Sequence, residues 1–221
     1  MTLTARYRQL KKRIQQLDRR LPGTSATGAY SEAEYDMVRA YRLLAHAEIE
    51  AYVEDAALAS ATEATQAWIR TGKPQFCTVH LMLFDDHENL SQSWTSSNYQ
   101  FRVQKLLDRY RESIKNNHGI KARNILKMLL PLGIRERELS PTWLATMNSF
   151  GQERGEVAHS AMAVQTPPDP VTEKTRVHQI LKDLTVVDRK LTSARGKGFS
   201  ASLFGRLEPV SFGLSQVRQR R

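Results

Sequence analysis

Hydrophobic residues near the start of the chain repeat at alternating spacings of four and three. The residues with this spacing are Leu3, Tyr7, Leu10, Ile14, Leu17 and Leu21. The pattern is that of a heptad helix that packs along one face, with arginine and lysine on its other faces. We therefore expect a basic heptad helix over residues 1–22, packed on a helix of its own chain or across a dimer.

A second helical pattern begins at the sequence SEAE. Ser31 followed by Glu34 is the signature of a capping box, and neither proline nor glycine interrupts the chain before Gly72. Such a stretch predicts one long helix. Its apolar face is predicted to hold Met37, Tyr41, Leu44, Ile49, Tyr52 and Val53.

The stretch from residue 73 to residue 97 has no decisive periodicity. The run KPQFCTVHLMLF fits a buried strand or a short helix equally well, because short apolar runs occur in both. The polar sequence that follows is typical of a loop. No second convincing strand occurs in the chain, so we favour a short helix followed by a loop.

The second half of the chain repeats helical patterns between clear stop signals. Apolar spacing predicts helices after Tyr99, from Ile120 to Leu130, and after Ser140, which stands as N-cap before Pro141. The sequence TPPDP then breaks the chain. A last amphipathic helix over 171–194 carries Val177, Ile180, Leu181, Leu184, Val187 and Leu191.

These elements together define an all-α fold. We expect an up-and-down helical bundle with N- and C-terminal helical extensions. Residues 195–221 are rich in Gly, Ser and basic residues, and we expect a basic flexible tail there.

The net charge of +10 is concentrated at the two ends of the chain. Residues 1–21 carry seven Lys and Arg against one Asp, and residues 195–221 carry six against one Glu. Basic arms on a near-neutral body fit a nucleic-acid partner, because phosphate contacts release counterions. They equally fit solubility or an acidic protein partner.

Several classes of protein are disfavoured by the composition. A single cysteine, Cys77, rules out a disulfide framework within one chain and a cysteine-rich metal site. The N-terminus is charged where a signal peptide needs an apolar core, and no apolar run approaches the roughly 20 residues that span a bilayer. We expect a soluble cytoplasmic protein without membrane contact.

Motifs for familiar cofactors and metals are missing from the sequence. It has no phosphate loop, dinucleotide fingerprint, HExxH or nucleophile elbow. Adjacent acidic residues on one loop rarely converge on an ion, so we interpret Asp85, Asp86, His87 and Glu88 as a solvated turn. We therefore predict neither a cofactor nor a metal.

Three polar clusters could carry chemistry. Arg42, His46 and Glu50 are spaced by four and share one helix face, either as surface salt bridging or as a packed polar row that needs partners. Asn116, Asn117 and His118 precede Gly119 and are best explained as a helix end.

The third cluster is RGEVAHS, which contains Arg154 and His159. Residues five apart on an ideal helix differ by about 140° in direction, so the two side chains would not share a face. The arginine could bend back, Gly155 could loosen the helix, or a second chain could supply its own copies.

This third cluster resembles the motif of the HEPN superfamily, all-α domains of which many are endoribonucleases. That motif is an Arg, four to six residues, and a His near the end of the last conserved helix; four residues separate Arg154 from His159. The stretches AYRLLAHAEIEAYVED and NNHGIKARNILKMLLPLGI resemble the RiboL-PSP-HEPN subgroup. The resemblance spans about residues 31–165 and leaves out the heptad helix and the tail.

The resemblance implies a metal-independent endoribonuclease that activates the 2′-hydroxyl of RNA against the adjacent phosphate. This chemistry needs a proton acceptor, a proton donor for the leaving 5′-oxygen and a cation at the phosphorane. His159 would be the acid or the base, and Arg154 would hold phosphate oxygens. A homodimer, as HEPN proteins form, would bring two copies of each residue to one cleft.

Further residues gain roles through the same resemblance. His46, Glu50 and Asn117 would orient His159 or contact RNA, or else serve as core hydrogen bonding. Many catalytic members carry a polar residue directly after the motif Arg, where this chain has Gly155. That role would fall to Glu156 or to a residue of another helix.

The biological setting that the resemblance implies is bacterial defence or a toxin–antitoxin system, with an antitoxin or another regulatory protein as partner. Two alternatives remain. One is a non-catalytic HEPN module that binds RNA or a partner protein. The other is a helical adaptor whose heptad helix and tail bind proteins.

Overall fold

A computed structural model of the chain describes residues 2–25, 27–84, 99–159 and 169–199, and over 156–159 it describes the backbone only. Two short 3-10 helices, Leu130–Leu132 and Glu136–Glu138, accompany the α-helices of this part of the chain. Those helices are α1 (Ala5–Asp18), α2 (Glu32–Thr71), α3 (Phe76–Phe84), α4 (Tyr99–Lys115), α5 (Ala122–Leu129), α6 (Pro141–His159) and α7 (Pro170–Arg195). The described residues form no strand, which confirms the all-α class.

Helix α2 is the central element of the bundle. It begins at the predicted capping box of Ser31 and Glu34 and runs for 40 residues. It ends at Gly72, whose φ of 68° is left-handed and costs little without a side chain. All six other helices pack against it. Its buried alanines let these neighbours approach closely: Ala45, Ala57, Ala61 and Ala64.

The heptad helix packs within its own chain. Tyr7, Leu10, Ile14 and Leu17 of α1 are buried against α2 and α7 and belong to the same core as the rest of the bundle. The Tyr7 hydroxyl donates a 2.7 Å hydrogen bond to the carbonyl of Leu181 on α7. The apolar face of α1 therefore packs on helices of its own chain and not across a dimer.

The predicted apolar face of α2 is partly wrong. Four of its members are buried as expected, but Met37 is 50% exposed and Leu44 is 41% exposed. Met37 and Leu44 lie about 40° and 60° around the helix from Tyr41, at the edge of the surface that α1 covers. Phe101 of α4 is a further apolar side chain that is exposed.

Two predictions fall wholly or partly outside the described residues. The short helix after residue 73 is confirmed as α3, but the loop predicted after it, including Asp85 to Glu88, lies outside. The predicted tail is described only as far as residue 199. Those last residues pair with the start of α3, where the Lys197 carbonyl accepts the Phe76 N–H at 3.0 Å. None of the described helices is both long and apolar enough to cross a membrane.

A buried carboxylate joins three helices on the α1 side of the bundle. Asp188 of α7 is 1% exposed. Its Oδ2 accepts the Thr4 N–H at 2.8 Å, and its Oδ1 accepts the Thr4 hydroxyl at 2.5 Å and the Tyr52 hydroxyl at 2.9 Å. Burial, reinforced by the charge of Asp188, raises the pKa of Tyr52. Asp188 therefore ties the N-cap of α1 to α2 and α7.

We expect Asp188→Ala to lower the free energy of unfolding by about 3 kcal/mol, because it leaves the donors of Thr4 and Tyr52 without an acceptor. Denaturant unfolding followed by circular dichroism measures this change. Asp183→Ala on the same helix is the matched control. Among the described residues its carboxylate bonds only Gln179, at an exposed site, so a loss below about 0.5 kcal/mol is expected. Equal losses in the two variants would contradict the anchoring role of Asp188.

Candidate functional site

Arg42, the first member of the polar row on α2, is occupied by buried ion pairs. Its Nε and Nη2 lie 2.9 Å and 2.6 Å from the two carboxylate oxygens of Glu173, which is 2% exposed. Nη2 also lies 3.1 Å from Glu153 of α6, which Arg176 of α7 contacts at 2.6 Å. Arg42 therefore joins α2, α6 and α7.

His46 and Glu50 form the next two turns of the row and lie close to each other. Nδ1 of His46 is 3.5 Å from Oε2 of Glu50, and this nitrogen has no hydrogen-bond partner among the described residues. The ring lies 6.0 Å from that of Phe150 on α6. Burial lowers the pKa of His46, more strongly than the Glu50 charge raises it, and Arg154 lowers it further. The pair is therefore a neutral imidazole beside a carboxylate.

Glu50 also holds the turn that follows α4. Its Oε1 accepts the N–H of Gly119. The φ of Gly119 is +93°, and a Cβ there would lie 3.1 Å from Nδ2 of Asn124. Glycine is therefore required where the chain passes closest to the carboxylate.

Asn117 supports the same turn from inside the protein. It is buried, and its Nδ2 donates to the carbonyl of Asn124 at 2.9 Å. The Asn124 side chain in turn donates to the carbonyl of His118. These bonds occupy backbone groups, so the His118 side chain is left exposed. The interpretation of this cluster as a helix end therefore fits Asn117. That Asn117 orients His159 or contacts RNA stays a prediction.

Glu54 extends the polar row by one more turn, and the sequence-based reasoning missed it. Burial raises the pKa of Glu54, the charges of Glu50 and Asp55 raise it further, and His118 lowers it. Glu54 therefore lies within electrostatic reach of the exposed imidazole. Its spacing of four from Glu50 was the signal that could have found it.

Helix α6 passes along the turn that carries His118. Oδ1 of Asn148 accepts the Ala122 N–H at 2.8 Å, and a Cβ at Gly151 would lie 2.9 Å from Cγ of Lys121. One turn further along α6 is Arg154, which is half-buried and acts electrostatically on His46. The structure thus brings Arg154, His46, Glu50 and the turn at Gly119 to one region.

The backbone of α6 continues without a break from Arg154 to His159. Gly155 therefore does not interrupt the helix, and the angle of about 140° between residues five apart applies to this segment. Apart from its two neighbours and the backbone of its own helix turn, no described residue comes within 4 Å of a Cβ built at Gly155. The side chains of Glu156 and His159 lie outside the described part, and their roles stay predictions.

Other chemically notable groups do not join this region. Cys77 is buried, and burial raises its pKa to about 12, so its thiol is protonated at neutral pH. Among the described residues, no group of three or more His, Cys, Asp or Glu is placed to hold a metal ion.

Comparison with protein-family models matches residues 5–187 to RiboL-PSP-HEPN. The match covers most of the chain, and the chain belongs to this family of all-α domains. It begins in α1 and ends in α7, so it is wider than the stretch of residues 31–165 that carries the resemblance in sequence. Comparison with curated proteins gave no match, and comparison with solved structures gave none either.

We expect Gly155→Ala to stabilise the protein by about 0.5–1 kcal/mol, because alanine favours a helix interior and its methyl group meets open space. Thermal and denaturant unfolding measure the change. Gly151→Ala is the matched control on the same helix, where the gain is offset by displacement of the Lys121 side chain. A Gly155→Ala protein no more stable than Gly151→Ala would contradict this description of α6.

We expect His46 to make folding stability fall on acidification. An unfolded histidine has a pKa of about 6.5, and burial lowers that of folded His46. Below about pH 6.5 the unfolded chain therefore binds a proton that the folded protein does not, and stability falls by at most about 1.4 kcal/mol per pH unit.

The measurement is denaturant unfolding at several pH values between 7.5 and 5, on the wild type and His46→Gln. The wild type should lose more stability than the variant. Burial also lowers the pKa of His80. Because His80 is present in both proteins, its contribution cancels in the difference between their stabilities. Parallel pH curves for the two proteins would contradict a buried neutral His46.

Proposed function

We propose that this protein is a metal-independent endoribonuclease whose site is completed by a second copy of the chain. Membership of the HEPN family supports a nuclease or an RNA-related module. Cleavage itself, the homodimer and a setting in bacterial defence or as a toxin belong to the proposal. An antitoxin or another regulatory protein would be the partner in that setting.

The observation that carries the proposal is the contrast between neighbouring charged residues of α6. Glu153 points into the bundle and pairs with Arg42 and Arg176. Arg154, the next residue, has no carboxylate partner among the side chains that the structure describes, and its charge acts on His46. A half-buried guanidinium without a carboxylate suits a phosphate ligand, which it can bind through two parallel hydrogen bonds.

The proposed reaction transfers two protons and exchanges two bonds at phosphorus. The 2′-oxygen of RNA attacks the adjacent phosphorus as a base accepts the hydroxyl proton. The bond from phosphorus to the 5′-oxygen breaks, and an acid protonates the leaving oxygen. Arg154 would stabilise the phosphorane charge. His159, supplied by both chains of a two-fold dimer, would transfer protons.

We expect the purified protein to cleave RNA in the presence of a chelator and to leave 2′,3′-cyclic phosphate and 5′-hydroxyl ends. Arg154→Ala and His159→Ala should each reduce the rate by about 10²-fold or more, since each removes a group that acts in the transition state. Gel analysis of end-labelled RNA measures the rates, and sedimentation velocity tests for the dimer.

Arg70→Ala and His178→Ala are the matched controls. Both residues are exposed, Arg70 lies in the last turn of α2, and His178 contacts Asp18 of α1 at 2.8 Å. They should cleave like the wild type. Equal cleavage by all variants would contradict the assignment of Arg154 and His159. Loss of wild-type cleavage on chelation would contradict the metal-independent mechanism.

Non-catalytic RNA binding is the second candidate function, and the surface of α1 favours it. The exposed side of this helix carries Arg8, Lys11 and Lys12, and the exposed Arg19 follows at its C-cap. Such a cationic surface binds phosphate chains without any chemistry. RNA affinity that falls steeply with salt, with no cleavage by the wild type, would select this function over the first.

A further inference from the structure

Lys121, at the N-cap of α5, lies directly against helix α6. A Cβ built at Gly151 would be 2.9 Å from Cγ of Lys121 and 3.5 Å from its backbone nitrogen. A side chain at residue 151 would therefore push the lysine stem away from α6, and glycine lets the stem lie close to the helix. The contact places Lys121 at a defined level of α6.

Arg154 follows Gly151 one turn later on α6. Residues three apart on a helix are neighbours on its surface, with their Cβ atoms about 5–6 Å apart. The stem of Lys121 at Gly151 therefore lies one helix turn from the backbone of Arg154. Because both side chains are long, their cationic groups can reach two ligand groups that are next to each other.

Hydrogen bonds fix the backbone around Lys121. Its carbonyl accepts the N–H groups of Asn124 and Ile125 at 2.8 Å and 3.1 Å in the first turn of α5. The next N–H along the chain, that of Ala122, donates to Oδ1 of Asn148 on α6 at 2.8 Å. The position of Lys121 against α6 is therefore fixed by backbone bonds and does not depend on its ammonium group.

The charge of Lys121 is not compensated within the part of the chain that the structure describes. No described carboxylate pairs with its ammonium group, and the side chain is exposed. Two acidic residues of the region are already engaged, Glu50 with the N–H of Gly119 and Glu153 with arginines of α2 and α7. Lys121 shares this condition with Arg154. Two such cations one turn apart suit a ligand with neighbouring negative charges, such as a phosphate chain.

We infer that Lys121 is a substrate-binding residue, which holds the RNA phosphate next to the one that is cleaved. The inference rests on the proposed function. The guanidinium fork of Arg154 can bind the reacting phosphate through two parallel hydrogen bonds. The single ammonium group of Lys121, one turn away along α6, then binds the neighbouring phosphate of the same strand.

This role predicts a particular kinetic effect. A phosphate that does not react is held equally in the substrate and in the transition state, so the contact lowers KM and leaves kcat unchanged. Lys121→Met removes the charge and keeps an unbranched stem beside Gly151. We expect this variant to raise KM for a mixed-sequence single-stranded RNA about 10-fold and to keep kcat within about twofold of the wild-type value.

RNA affinity gives a readout that is independent of cleavage. It is measured by fluorescence anisotropy on the same sequence carrying 2′-O-methyl groups, which lacks the attacking hydroxyl. The slope of log affinity against log salt should become shallower by about 0.7 in Lys121→Met, the value for one phosphate of a single strand. Lys121→Arg keeps the charge and should retain both the affinity and the slope of the wild type.

Lys182→Met is the matched control for the loss of one lysine charge. Lys182 is exposed on α7, where its neighbour Leu181 accepts a hydrogen bond from Tyr7 of α1. Its loss should leave KM and the salt slope unchanged. Equal losses of affinity in Lys182→Met and Lys121→Met would overturn the inference, because only the net charge would then matter. Thermal unfolding confirms that each variant is folded.

The remaining outcomes separate this inference from the proposed function. If Lys121→Met binds and cleaves RNA like the wild type while Arg154→Ala is slow, the inference is overturned and the nuclease stands. A fall in kcat at unchanged KM would also overturn the inference, because Lys121 would then act on the reacting phosphate. If the wild type cleaves no RNA, the proposed function fails and the inference falls with it.

Discussion

The buried pairing of Arg42 with Glu173 is the interaction on which the arrangement of this bundle depends. Two charges removed from water cost several kcal/mol each, and only close, doubly bonded geometry offsets that cost. Arg42 achieves it with contacts of 2.9 Å and 2.6 Å to the two oxygens of one carboxylate. The pair can form only if α2 and α7 pack at one register, because its two parallel contacts require both side chains at the same level.

Helix α6 is positioned by the same pair. Glu153 extends the cluster from Arg42 to Arg176, which fixes one side of α6 against α2 and α7. Asn148 and Gly151 fix another side against the segment around Lys121. Arg154 is therefore carried on a helix held from two directions. The position of its backbone follows from contacts made by its neighbours, which suits a cation that must meet a phosphate without reorganising.

Helix periodicity predicted most of this fold, and it failed where a helix has neighbours on only part of its circumference. The heptad stripe of α1 and the apolar stripe of α7 are buried as predicted. Met37 and Leu44 are apolar yet exposed, because spacing alone does not reveal which neighbours cover a long helix. The capping box at Ser31 was predictable, since both of its partners lie within four residues.

The polar row on α2 shows the same limit for the candidate site. Spacing by four predicted that Arg42, His46 and Glu50 share a face, and they do lie along one side of α2. Their partners were not predictable, because Glu173 is 131 residues from Arg42 and Gly119 is 69 residues from Glu50. Because their partners differ, Arg42 connects helices of the bundle, whereas Glu50 stabilises the turn at Gly119.

The unbroken course of α6 bears on the proposed two-chain site. On an unbroken α6 the backbone positions of residues 154 and 159 differ by about 140° in direction, so the two positions do not share one helix face. A two-fold dimer would overcome this separation, because each chain would add its own Arg154 and His159 to one cleft. One unbroken helix thus favours a site shared between two chains.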